Sequence, residues 1–144
     1  MVKFCTPEIS GAHWLNCFTY ECNSCGNVFD IIFADGYDLV EFEEENGGDI
    51  KYLPSYGKGS YLDLMTKLLP GHSLKDEITM AESKAFIVEL NKYCEIGSHG
   101  KRFDFRHLKF ECTNCKSKDI KILKEDVSKN PELSFLKIDC SLID

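Results

Sequence analysis

An α+β fold with antiparallel strands is predicted by three features of the sequence. Cys-x-x-Cys occurs twice, at Cys22/Cys25 and Cys112/Cys115, each time among segments rich in aromatic and β-branched residues. Between the two pairs lie two stretches that each open on a helix-capping pattern and continue with apolar residues at helical spacing. Asn46-Gly47-Gly48 separates two partly alternating runs, which marks a hairpin. At 144 residues, 43% hydrophobic, the chain is long enough for one ordinary domain over residues 1–144, and no linker or low-complexity segment interrupts it.

The elements follow in order. "WLNCFTYE" and "NVFDIIFA" are strand-like and enclose the first cysteine pair. Strands near residues 38–44 and 49–53 flank the Asn-Gly-Gly turn. In "SYLDLMTKLLPG", Ser60 suits the N-cap and Asp63 the N3 position, Leu62, Leu64, Met65, Leu68 and Leu69 supply an apolar face, and Pro70-Gly71 stops the helix. Thr79 and Glu82 form a second capping box, ahead of Ala81, Ala85, Phe86, Leu90 and Tyr93 at helical spacing. The second cysteine pair lies between the strand-like "FDFRHLKFE" and "DIKILK", so each pair is expected on its own hairpin. The tail "LSFLKIDCSLI" reads as one more strand, after a turn capped by Asn130 with Pro131 in the first helical position.

The eight cysteines carry the chemistry. No run of eighteen apolar residues is present and the start, "MVKFCTPEISGAHW", has no signal-peptide pattern, so a cytoplasmic location without a membrane span is expected. In a reducing compartment, paired cysteines at short spacing serve as metal ligands or redox thiols rather than as disulfides. Cys22, Cys25, Cys112 and Cys115 supply the four thiolates of one closed structural zinc site. Gly26 suits the positive φ such a turn requires; Lys116, at the same place in the second turn, is a less comfortable residue. The pattern resembles the zinc-ribbon fold group, in which two hairpin turns clamp one zinc. The resemblance covers about residues 14–34 and 103–124 and implies a split ribbon with an insertion over about 35–102.

Other uses of these thiols fit less well. A thioredoxin-like pair opens a helix, whereas "NVFDIIF" reads as a strand, and a redox pair needs no twin. A catalytic zinc keeps a position open for water, and neither pair is preceded by the proline of the zinc-deaminase signature. Catalysis is therefore not expected. Cys5, Cys17, Cys94 and Cys140 read as buried core cysteines, although Cys94 and His99 have a spacing that suits a second metal together with Cys5, Cys17 or His13. His72 and His107 read as hydrogen-bonding or surface residues.

Charge is polarised along the chain. Residues 27–50 hold Asp30, Asp35, Asp38, Glu41, Glu43, Glu44, Glu45 and Asp49 and no Lys or Arg, whereas residues 101–124 hold eight basic side chains against three acidic ones. Two readings stand side by side. The segments are neighbouring strands whose opposite charges pair, or Asp35, Asp38, Glu41, Glu43, Glu44, Glu45 and Asp49 face a basic partner. A net charge of −7 and a pI near 5.1 oppose nucleic-acid binding, though zinc ribbons and the lysines beside the second turn keep a nucleic acid or a transcription or translation machine as the alternative partner. Residues 52–93 resemble the middle of small bacterial immunity proteins. That resemblance implies an inhibitor of a toxin, and the acidity points to a basic toxin such as a nuclease. A thiol redox protein is the third reading.

Overall fold

The computed structural model describes residues 2–9, 13–34, 38–69, 79–129 and 133–143. Its strands are β1 (Phe4–Cys5), β2 (Trp14–Cys22), β3 (Val28–Phe33), β4 (Leu39–Glu44), β5 (Ile50–Pro54), β6 (Phe103–Phe105), β7 (Ile120–Lys129) and β8 (Ile138–Asp139). Helices α1 (Tyr61–Leu68) and α2 (Met80–Tyr93) lie between β5 and β6. The described pairings between strands are antiparallel, in sheets ordered β3-β2-β7, β5-β4-β6 and β1-β8. No described helix is long and apolar enough to cross a membrane. Asp35, the Pro70-Gly71 stop, His72 and the Asn130-Pro131 turn lie outside the described residues.

The chain groups into two compact units, one of Ala12–Asp35 with His107–Glu132 and one of Met1–Gly11, Gly36–Arg106 and Leu133–Asp144. In the first, β2 and β3 form the expected hairpin around the first cysteine pair, and β7 adds to the other edge of β2 with a bulge between Thr19 and Tyr20. The second pair departs from expectation. "FDFRHLKFE" is not its leading strand: only Phe103–Phe105 are extended in a ladder, and they pair with β4 in the other unit. Residues 107–111 instead lay Leu108 and Phe110 on the sheet, where Phe110 meets Tyr20 at 6.2 Å and Phe33 at 5.8 Å between ring centroids.

In the larger unit the local signals operate as read. Ser60 Oγ accepts from Asp63 N, and Asp63 reaches back to Gly59 N. Thr79 and Glu82 close a reciprocal box. Asn46 and Gly47 take φ of 66° and 74°, the left-handed conformation that turns β4 back into β5. The core joins Phe42, Leu53, Leu64, Phe86, Phe103 and Leu136 with further apolar residues of α1, α2 and the tail. The tail is mostly not a strand: Phe135 bridges to Tyr52, Ile138–Asp139 pair with β1, and a 3₁₀ turn takes Cys140–Leu142. That pairing brings Cys5 and Cys140, expected as core thiols, to a Cα separation of 5.1 Å and into a disulfide.

A buried carboxylate pins this unit. Glu44 has no solvent exposure. Its Oε1 accepts from Asp49 N (3.1 Å) and contacts His99 Nδ1 (2.9 Å), and its Oε2 accepts from His99 N (2.9 Å) and Lys101 N (3.0 Å). Gly48 and Gly97 leave the necessary room, since a Cβ on either would stand 2.3 Å or 2.1 Å from the carboxylate. Asp49 accepts from Ser98 N and Ser98 Oγ beside it. The loop over residues 95–102 is thus folded around acceptors from the β4–β5 turn.

The pH dependence follows. Burial opposes the Glu44 charge, but the N–H groups of Asp49 and Lys101, then His99, outweigh it and hold the carboxyl at about 2, below its ordinary 4.5. A pKa depressed on folding contributes stability that is present above 4.5 and is lost as pH falls toward 2. His99, raised above 6.5 by its hydrogen bond to Glu44, contributes below 6.5 and less as pH rises through its folded value, a weak effect because its side chain is 66% exposed. We expect Glu44→Gln to lower the urea midpoint at pH 6 and to flatten the acid limb below 4.5, with His99→Gln removing the shallow limb above 6.5 and, through the lost bond to Glu44, flattening the acid limb less than Glu44→Gln does.

Candidate metal centre

β2 ends on Cys22, and the chain turns so that Gly26 N bonds Cys22 O (2.9 Å) and Cys22 N bonds Asn27 O (2.9 Å). The second turn repeats this: Lys116 N bonds Cys112 O (3.0 Å) and Cys112 N bonds Ser117 O (2.8 Å). Closing each loop needs a left-handed residue, and Gly26 (φ 76°) and Lys116 (φ 64°) supply it. The second turn therefore carries the strained residue, as its lysine foretold.

The two turns face each other. Cys22 Sγ lies 3.5 Å from Cys115 Sγ and Cys25 Sγ 3.6 Å from Cys112 Sγ, and all four sulfurs fall within 4.8 Å of one another. Ligands about 2.3 Å from a tetrahedral ion stand just under 4 Å apart, so the spacing suits a bound metal ion. Hydrogen bonds also join the turns directly: Asn23 Nδ2 to Asp119 Oδ1 (2.9 Å), Ser24 Oγ with Ser117 Oγ (3.0 Å), and Asn27 Nδ2 to Thr113 Oγ1 (3.1 Å). Sequence reading did not identify these supports. The signal was there in "NSCGN" and "TNCKSKD", where small amides and hydroxyls occupy the turn positions that bond backbone and sulfur.

The sulfurs differ electrostatically. Burial pushes the Cys112 thiol up, but the N–H groups of Cys115 and Asn114, with Asn27, hold it at about 6. Cys22 is likewise lowered against burial, by the N–H groups of Cys25 and Ser24. The Ser117 N–H pulls Cys115 down, yet bonding to Cys22 and burial push it to about 12. Negative charge settled on two of the sulfurs discourages ionisation of a third, and a divalent cation among them would remove that conflict.

The remaining candidates are not gathered at this centre. Cys94 ends α2, buried, its thiol pushed up to about 12 by desolvation, and no described metal-ligating group of three or more includes it with His99. Cys17 sits in β2 opposite Ile32 and Asp126. Glu44, Asp49 and His99 form a second cluster of donors, but the Glu44 carboxylate oxygens are already engaged as described.

The acidic segment is largely used internally. Glu41 meets Arg106 (2.6 Å), Glu45 meets Arg102 (2.9 Å), and Asp49 holds Ser98. Glu44, expected to face a partner, is withdrawn from solvent because its alternation along β4 puts it on the core side with Phe42. Asp38 and Glu43 stay partly exposed, and Glu43 stands directly opposite Asp104 across the β4–β6 ladder.

No protein-family model, curated protein or solved structure matches this chain.

Relieving the strained turn gives a direct check of the centre's construction. Lys116→Gly should raise stability by roughly 0.5–1 kcal/mol, the left-handed penalty less the added freedom of the unfolded chain, without changing metal content. Denaturant midpoint and metal analysis on the same sample would show this.

Proposed function

We propose that the protein is a non-catalytic binding protein scaffolded by one structural zinc in a split zinc ribbon, held by Cys22, Cys25, Cys112 and Cys115. The convergence of these four sulfurs within 4.8 Å carries the reading. Four soft thiolates suit zinc, and they fill its tetrahedral shell, leaving no place for a reactive water. Zinc, when bound, supplies the positive charge that lets four sulfurs share this volume and cross-links the two turns.

The function that fits this scaffold best is inhibition of a basic protein, a toxin domain of the kind neutralised by the immunity proteins that residues 52–93 resemble. Supporting it are the net charge of −7 and the facing pair Glu43 and Asp104. Like charges directly across a ladder cost stability, and a basic partner would turn that cost into attraction. The acidic partner face therefore centres on Glu43, Asp104 and the partly exposed Asp38, rather than on the whole segment from Asp35 to Asp49.

Exposed Lys116, Lys118, Lys121 and Lys124 favour nucleic acid as the second reading. Against it, their unit carries six lysines and eight acidic side chains.

Protein purified under reducing conditions should contain about one zinc per chain, and Cys112→Ser should lose both zinc and thermal stability. A stable chain free of zinc, or one loaded with iron, would reject the scaffold. For the partner, the probe is a basic toxin domain encoded beside this gene. Glu43→Gln with Asp104→Asn should leave stability equal or raised by about 0.2–1 kcal/mol while slowing association at low salt and flattening its salt dependence. Unchanged association would move the interface elsewhere. Retention on single-stranded nucleic acid with a steep salt dependence would favour the second reading.

A further inference from the structure

Each of the two close sulfur contacts joins one exposed to one buried cysteine. Cys25 is exposed and Cys112 fully buried, 3.6 Å apart; Cys115 is exposed and Cys22 buried at 1% exposure, 3.5 Å apart. An accessible thiolate with a shielded sulfur in contact is the arrangement of an attacking cysteine and its resolving partner. From this we infer that the four-cysteine centre is a peroxide-sensitive switch, which releases its zinc by forming disulfides across the two turns, Cys25–Cys112 and Cys22–Cys115. The inference rests on the zinc reading above.

The hydrogen bonds direct the order of events. Cys112 Sγ accepts from Asn114 N (3.4 Å), Cys115 N (3.5 Å) and Asn27 Nδ2 (3.6 Å), which spread its charge and blunt its attack. Cys25 Sγ accepts from Asn114 Nδ2 at a long 3.8 Å and faces solvent. Of this pair, Cys25 therefore meets the oxidant first. Its thiolate attacks one oxygen of hydrogen peroxide, the O–O bond breaks, and the departing hydroxide takes a proton to leave as water, giving Cys25 sulfenic acid. The Cys112 thiolate then attacks that sulfur. An S–S bond forms, the S–O bond breaks, and the second hydroxide leaves as water with another proton. Two thiolates lose two electrons, and one peroxide gains them. With Cys25 and Cys112 joined, only Cys22 and Cys115 would be left to hold a zinc ion, which would then be freed to water, and a second peroxide oxidises Cys115 and Cys22 in the same way.

Oxidation across the turns, unlike oxidation within them, replaces the metal's cross-link by a covalent one. It links positions 87 and 93 residues apart, and the bonds Asn23–Asp119, Ser24–Ser117 and Asn27–Thr113 remain in place. The ribbon stays joined in both states.

The test uses the zinc-loaded chain, titrated with hydrogen peroxide while a chromophoric chelator reports free zinc, followed by non-reducing peptide mass mapping. The expected result is zinc release that follows the first peroxide per chain and thiol oxidation that is complete by the second, with Cys25–Cys112 and Cys22–Cys115 peptides beside the separate Cys5–Cys140 peptide. A dithiol and added zinc should restore the starting state. Asn114→Ala, which removes the hydrogen bond to Cys25 and keeps all four ligands, should speed release. Zinc retained under a large excess of peroxide overturns the switch and leaves the zinc scaffold standing. Disulfides within the turns, Cys22–Cys25 and Cys112–Cys115, overturn the crossed linkage. A chain without zinc before peroxide is added overturns the scaffold and the switch together.

Discussion

Four sulfurs drawn into one small volume are the constraint on which the smaller unit depends. Among the described residues its buried cluster is slight: Cys22, Phe29, Ile31 and Cys112, with Tyr20, Phe33, Leu108 and Ile120 packed around them. Two of the four buried members are themselves candidate ligands, so the unit cannot be stabilised by apolar burial alone to the degree a larger core allows. Its turns must hold thiolates that repel one another, and backbone N–H groups aimed at Cys22 and Cys112 provide partial compensation. The hydrogen bonds between the turns set the geometry, and a cation held among the four sulfurs would remove the repulsion and couple its binding to folding.

The larger unit solves a different problem with a different charge. Its core is ample, joining two capped helices to a three-stranded sheet. What that core cannot do is order the polar loop over residues 95–102, where the N–H groups of Ser98, His99 and Lys101 bond to carboxylates. Glu44 does this by placing an acceptor where several N–H groups converge, with Gly48 and Gly97 reduced to hydrogen where the carboxylate passes. Asn91 plays the neutral counterpart on α2, accepting from Phe103 N and donating to Phe103 O, which fastens β6 to the helix. Buried polar groups in this unit are thus devices for positioning loops and edges.

Local signals were legible because their physics is local. Ser60 with Asp63 and Thr79 with Glu82 cap helices through bonds that span three residues, and Asn46-Gly47 turns a hairpin through backbone dihedrals alone. Gly26 and Lys116 were readable in the same way, since a tight turn around a cysteine pair demands a left-handed residue wherever it occurs. The candidate metal centre was legible because its doubled spacing is itself the ligand pattern. Illegible were the features that depend on which strand finds which. Phe103–Phe105 have strand character, and nothing in their sequence says that β4, rather than the second cysteine turn, is their partner. Cys5 and Cys140 became a disulfide through the pairing of two short strands, which leave almost no periodic signal.

The helices with their caps, the β4–β5 turn, the two cysteine turns and the net acidity are written in the chain, because each follows from residues a few positions apart or from composition. How the acidic charge is spent depends on long-range pairing. Glu41, Glu45 and Asp49 are matched to Arg106, Arg102 and Ser98, Glu44 is buried, and Glu43 is left facing Asp104. Five acidic side chains within nine residues look alike in sequence; strand alternation and the register of β4 against β6 separate them, and register is set by packing over distances no local pattern records.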